Sequence, residues 1–302
     1  MTVVEQMQGL RGNLLLDEPM SRHTSWRIGG PADRYYQPAD ADDLVQFLAQ
    51  LPPGEPLYWL GLGSNLLVRD GGIRGTVIAT SGVLNVLTQI DERTVRAEAG
   101  VACAKVARFS ARAGLAGAEF LAGIPGTMGG ALAMNAGAFG GETWQVVAAV
   151  ETLDRSGNRR RRTPQEFTIG YRHVVVPKGE WFLAAELQLE PGADPDALQA
   201  RIKELLSKRS DLQPTQLPNA GSVFRNPDGD YAARLIEACG LKGECQGAAC
   251  VSDKHANFII NTGKATSLDI EQLITYVRDV VARQHGVSLI PEVHIVGEAE
   301  HG

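Results

Sequence analysis

Toward the C-terminus, Ile270, Leu273, Ile274, Val277, Val280 and Val281 return at three- and four-residue spacings, the period of one helical face. Ser267 stands as the expected N-cap, Asp269 and Glu271 suit the positive end, and Gly286 closes the run. An earlier helix is predicted from a capping Asp40 through Leu51, with Leu44, Val45, Leu48 and Leu51 on one face and Pro52-Pro53 ending it. Helices are also expected over 102–113, closed by Gly114, over 196–208 and over 231–239. Short apolar or alternating runs predict strands at 56–60, 66–68, in pieces of 77–100, at 181–189 and at 257–261. Residues 146–153 and 162–169 read as a hairpin turning at Ser156-Gly157, and Gly29-Gly30-Pro31 as a turn. The segment PGADP at 191–195 interrupts the pattern and marks the expected domain boundary. Helices and strands intermingle without an internal repeat, so the fold class is α+β.

The bulk composition narrows the partners. A chain of 302 residues with 44% hydrophobic and 21% charged residues can bury a sizeable core in two or three units. Its net charge of -6 argues against a nucleic-acid partner, which needs a basic face. The Arg159–Arg162 block after Ser156-Gly157-Asn158 reads as a solvated return strand, with a phosphate patch as the alternative. The opening MTVVEQMQGLRGN lacks the apolar core of a signal peptide, and no apolar run reaches bilayer length, so a cytoplasmic protein is expected. Cys103, Cys239, Cys245 and Cys250 are too few for a disulfide framework, and buried free thiols are expected. Cys245, Cys250 and His255 recur at five-residue intervals, which fits no zinc spacing, and no metal is expected.

Two glycine-rich loops carry the candidate chemistry: GLGSN at 61–65 and GIPGTMGGALAMN at 123–135. Glycine tolerates positive φ and carries no Cβ, so such loops let backbone N–H groups approach diphosphate oxygens. Neither loop fits the dinucleotide fingerprint, since position 66 is Leu, and no P-loop or nucleophile elbow exists. Tight turns alone account equally well for the first loop. The second spends more backbone entropy than turns require, unless something packs against bare backbone.

Three polar residues stand in apolar or constrained settings. Arg172 follows Gly170-Tyr171, Ser222 lies between Pro218 and Pro227, and Glu292 follows Pro291 in an otherwise nearly apolar expected strand, 287–296. A structural Arg172–Glu292 ion pair and a turn serine form the bland alternative.

The motifs HTSWRIGGPAD, GLGSN, AGIPGTMGGALAMNAGAFGGE, GYR, NAGSVFRNP, VSDKHANFIIN and IPEV run nearly end to end in order. Together they closely resemble the UDP-N-acetylenolpyruvoylglucosamine reductase family. The resemblance implies a two-part FAD-binding domain of the vanillyl-alcohol-oxidase type over 1–192, with lobes of about 1–82 and 83–192. A smaller α+β substrate domain over 193–302 would follow. It implies NADPH-dependent reduction of UDP-N-acetylglucosamine enolpyruvate to UDP-N-acetylmuramate for peptidoglycan. The spacing resembles the shorter subclass, without an extra tyrosine loop, and a monomer is implied.

By motif, FAD would be held by Gly61, Gly63, Ser64, Asn65 and Leu66 and, in the second loop, by Gly123, Ile124, Pro125, Gly126 and Thr127. Gly129, Gly130, Asn135, Ala136 and Gly137 complete that set. Arg172 matches the Tyr-Arg motif, Ser222 the proton donor and Glu292 the Pro-Glu-Val carboxylate, expected to be protonated. Tyr171, Arg225, Asn226, Lys254 and His255 are substrate candidates, with surface charge and a core histidine as the alternative. Val174-Val175-Val176 replaces the usual polar support near Arg172. A flavin oxidase would often carry flavin on a histidine, whereas this loop offers Ser64-Asn65, so FAD is expected to be non-covalent. A nucleotide-sugar binder without turnover is the rival from another class.

Overall fold

A computed structural model describes residue 7 and residues 9–300. The opening stretch read as lacking a signal peptide lies largely outside the described residues. By contact, the chain groups into two compact units. The first comprises residues through Leu15, Arg34–Gly61 and Gly75–Lys208, and the second Leu16–Asp33, Leu62–Arg74 and the residues from Arg209 onward. The expected boundary at 192/193 falls just before a helix that the two units share.

In the first unit, helix α1 (Ala41–Gln50) starts where Asp40 accepts the N–H groups of Asp42 and Asp43 at 3.1 and 2.9 Å. Its apolar stripe buries Leu44, Phe47 and Leu48 against Tyr36, Ile78, Leu84, Leu153 and Leu183. Each such side chain contributes about 1.5–3 kcal/mol on burial. A larger core gathers α2 (Cys103–Arg112) and α3 (Met128–Met134) against a five-stranded sheet. Its strand order is Arg159–Arg162, Val147–Asp154, Glu180–Gln188, Thr94–Glu98, Leu87–Gln89. Helix α4 (Pro195–Leu212) follows.

The hairpin at Ser156-Gly157 returns earlier than expected. Arg159–Arg162 pairs with Val147–Asp154, in the register Val150↔Arg162 and Leu153↔Arg159. Pro164 then opens a short 3-10 turn, and Thr168–Gly170 pairs instead with His173–Val175. Proline has no N–H to continue the ladder, which explains the break. The four arginines are committed to carboxylates: Arg159 to Asp42, Arg160 to Asp154 and Glu180, Arg161 to Glu186, Arg162 to Glu166 and Glu180. The block is a solvated strand rather than a phosphate patch.

The second unit packs α5 (Ala232–Ala238) and α6 (Ser267–His285) over a three-stranded sheet, Cys245–Gln246, Ala249–Val251, Ile259–Asn261. The predicted α6 stripe is buried as expected. Its cap sits one residue earlier than predicted: the Thr266 hydroxyl accepts from Asp269 N at 3.1 Å and Asp269 accepts from Thr266 N at 2.9 Å. Ser267 instead donates its hydroxyl to Val68 O at 2.5 Å. Leu66–Val68 pairs in parallel with His294–Val296, so the strand expected over 287–296 is formed only in its last residues, Pro291 lacking the N–H that a ladder needs.

Two cysteines expected as free thiols are joined. Cys245 and Cys250 face each other across a hairpin whose loop is Gly247-Ala248, and they form a disulfide. The tight turn places the two Cβ atoms opposite each other. Among the described residues, Cys103 and Cys239 are free, no cluster of three or more metal-ligating side chains occurs, and no helix is long and apolar enough to cross a membrane.

Candidate active site

In the first unit, Tyr171 and Arg172 are the two-residue loop closing the Gly170↔His173 hairpin. Arg172 adopts φ +54°, a left-handed conformation uncommon for a residue with a Cβ. Its guanidinium donates from Nη1 to Asn135 O at 3.3 Å and from Nη2 to Gly137 O at 3.1 Å. It also lies over the Tyr171 ring, 5.0 Å from the centroid. The second glycine loop therefore supports Arg172, where the valine run offers no polar group. Val174 and Val176 pack on the core instead.

Asn135 holds that carbonyl in place. It ends α3 at φ +42°, and its Nδ2 donates to Glu142 and to Gly170 O at 2.9 and 3.1 Å. Its Oδ1 accepts from Trp144 N at 3.2 Å. A Cβ on Gly137 would stand 3.1 Å from Arg172 Nη1 and 2.4 Å from Gly141 O, so glycine is required there for packing.

Most other glycines of the two loops also have protein where a side chain would stand. Gly123 meets the Phe139 ring, Gly129 meets Ala99, and Gly63, at φ +61°, meets His23 O within its own unit. Gly130 differs, and it faces Thr127. A Cβ on Gly130 would have Thr127 Oγ1, 3.9 Å away, as its near neighbour, and on Gly61 it would clash with that same oxygen. Thr127 is 1% exposed, yet its hydroxyl has no hydrogen-bond partner and does not cap α3. A buried unpaired hydroxyl costs about 1–3 kcal/mol, which a bound acceptor or donor would recover. Bare backbone beside an unsatisfied hydroxyl fits a polar cofactor of the FAD kind.

In the second unit, the Ser222 and Glu292 segments are laced together. Phe224 and Pro291 form an antiparallel bridge. Glu292 N donates to Val223 O at 2.7 Å, and Arg225 N donates to Ile290 O at 2.9 Å. Asn65 joins them: its Nδ2 donates to Glu292 O at 3.1 Å, while its carbonyl accepts from His294 N at 3.0 Å. Gly221, at φ +74°, turns the chain into Ser222. The sequence-derived residues Asn65, Ser222, Arg225 and Glu292 thus converge in this unit, and Asn135, Gly137, Tyr171 and Arg172 in the other.

The substrate candidates divide. Asn226 Oδ1 accepts from Ala232 N at 3.1 Å, at the start of α5, and Lys254 Nζ donates to Ser210 O at 2.5 Å near the end of α4. Arg225 Nε and His255 Nδ1 are buried without partners. Burial, with Lys242 nearby, holds the His255 pKa below its ordinary 6.5. Asn257, absent from the sequence-derived site, clamps the residues after Ser222; its only signal in sequence was an amide inside an apolar run.

The fold and the paired loops define a flavoprotein with an FAD-binding domain. The FAD binding domain family matches residues 32–162, and the UDP-N-acetylenolpyruvoylglucosamine reductase C-terminal domain family matches residues 213–296. The protein of that name from Alkalilimnicola ehrlichii is 66% identical over 96% of each chain. That from Methylococcus capsulatus is 64% identical over 96% of this chain and 95% of its own. The crystal structure of the Thermus caldophilus reductase superposes with a TM-score of 0.81 at 32% identity, covering 95% of this chain and 99% of that one. The chain belongs to the UDP-N-acetylenolpyruvoylglucosamine reductase family.

Proposed function

We propose that this chain reduces UDP-N-acetylglucosamine enolpyruvate to UDP-N-acetylmuramate in peptidoglycan synthesis, with NADPH as reductant and non-covalent FAD. The observation that carries the residue-level reading is the Glu292–Val223 hydrogen bond, which fixes the carboxylate segment beside the residue following Ser222.

FAD, held by the two glycine loops, would supply hydride chemistry at the terminal vinyl carbon of the substrate. The π pair then moves to the carbon next to the substrate carboxylate, spreading charge onto its oxygens. Arg172 presents a permanently charged fork to those oxygens. Glu292, in its protonated form, would donate a further hydrogen bond as charge develops there. The Ser222 hydroxyl gives its proton to the carbanion-like carbon and regains one from solvent. A weak acid suffices because that carbon is strongly basic. NADPH leaves as NADP+, so the two electrons and two hydrogens balance.

The flavin loops belong functionally to residues 1–192 and the substrate contacts of Ser222 and Glu292 to 193–302. The reach of the two family matches supports this division. Gly61, Thr127 and Gly130 are assigned to FAD, and Arg225, with its unpaired Nε, to the substrate diphosphate. The protein acts as a cytoplasmic monomer of the shorter subclass, without a nucleic-acid partner.

Anaerobic half-reactions test the assignment. Ser222→Ala bleaches with NADPH at the parental rate but stalls on reoxidation by the enolpyruvyl substrate, whereas Ser222→Cys retains turnover. Parental reoxidation in Ser222→Ala would remove Ser222 as donor.

A further inference from the structure

Ser222 is followed by two fully buried residues whose backbone is spoken for on both sides. Toward 290–292 run the Glu292 and Arg225 bonds described above. On the other side stands one residue, Asn257, 3% exposed. Its Oδ1 accepts from Phe224 N at 3.0 Å, and its Nδ2 donates to Phe224 O at 2.8 Å. Its main-chain carbonyl accepts from Val223 N at 2.8 Å. The primary amide thus pairs with Phe224 as a neighbouring strand would. Among side chains of this length only asparagine offers an acceptor and a donor from one plane.

Asn257 is itself well anchored. The chain around it is drawn in by Ser252 N to Phe258 O and Phe258 N to His255 O, at 2.8 and 3.0 Å. It reaches neither Ser222 nor Glu292 by any of these bonds. Its effect is to set where the chain leaves Ser222, with Glu292 fixed on the far side of the same two residues.

We infer that Asn257 is a positioning residue for proton delivery, aiming the Ser222 hydroxyl by clamping Val223 and Phe224. The inference rests on Ser222 as the proton donor. A displacement of about 1 Å can cost on the order of 10²-fold in rate.

The test is Asn257→Asp, which keeps size and acceptor but sets a carboxylate oxygen against Phe224 O. Flavin reduction by NADPH stays within about twofold of the parent, while reoxidation by the enolpyruvyl substrate slows about 10- to 100-fold. The solvent deuterium effect on that step grows, and amide exchange at Phe224 accelerates. In the Ser222→Ala background the same substitution costs no further rate, because no donor is left to misplace. If Asn257→Asp does not yield soluble enzyme, Asn257→Ser is measured the same way. Equal slowing of both half-reactions, or a multiplicative loss in the double variant, overturns the positioning role alone. Parental reoxidation in Ser222→Ala by itself overturns the donor reading, and this inference with it.

Discussion

The Arg172 guanidinium is held by the main-chain carbonyl of Gly137, Nη2 lying 3.1 Å from the oxygen, with Asn135 O as a second acceptor. A fork so gripped is oriented before any carboxylate arrives, so little side-chain entropy remains to be lost on binding. Lysine has no fork to make this bond pattern. Arg172→Lys should therefore slow substrate-driven flavin reoxidation by about 10²–10³-fold. Bleaching by NADPH should persist, and stopped-flow absorbance of the flavin separates the two steps. Equal rates for Arg172→Lys and parent would detach this arginine from the chemistry.

Thr127 allows a prediction with opposite signs in two experiments. Its hydroxyl is buried and unpaired, so Thr127→Val should leave the apoprotein as stable as the parent or raise it by about 1 kcal/mol. The same change should weaken FAD by about 1–3 kcal/mol if the hydroxyl meets the cofactor. Thermal unfolding of the apoprotein and a flavin fluorescence titration measure the two. A stability loss with unchanged FAD affinity would mark Thr127 as purely structural.

His255 gives a pH dependence. Burial lowers its folded pKa below the ordinary 6.5, so the folded state binds its proton less readily than the unfolded chain. The stability this implies is present above about 6.5. It is lost as pH falls from there through the lower folded value, because the unfolded chain protonates first. Urea unfolding at pH 7.5 and pH 5 should show a larger acid loss in the parent than in His255→Phe. The ring's T-shaped contact with Phe258 makes phenylalanine a tolerable replacement.

The Cys245–Cys250 bridge closes a short loop, the residues being five apart. Loop-closure entropy at that length gives about 2 kcal/mol. Cys245→Ser with Cys250→Ser should lower unfolding stability by about that amount while leaving the flavin spectrum unchanged. Denaturant curves and a visible spectrum of the double variant decide it.

Much of this was legible from sequence because it is written in local periods. The α6 stripe, the Asp40 cap and the Gly286 stop each depend on residues within a few positions of one another. The motif order carried the family. Where local signals conflicted, the reading slipped by a residue or a strand. Thr266 rather than Ser267 caps α6, because Ser267 finds Val68 O, 199 positions away. Pro164 cut short the return strand that the hairpin reading had carried to 169.

By itself, then, the sequence determined the helices other than α3, which lies inside the second glycine loop, together with the order of those loops and which polar residues stand out from their surroundings, since these follow from spacing and side-chain chemistry. Tertiary structure decided what each of them touches. It assigned Gly137 to Arg172 and Asn257 to Phe224, and it set Asn65 against Glu292 across 227 positions. Hydrogen bonds between distant segments depend on where the chain returns, and no local pattern encodes that return. A glycine reserved for a ligand and one crowded by its own protein look the same until the neighbours are in place.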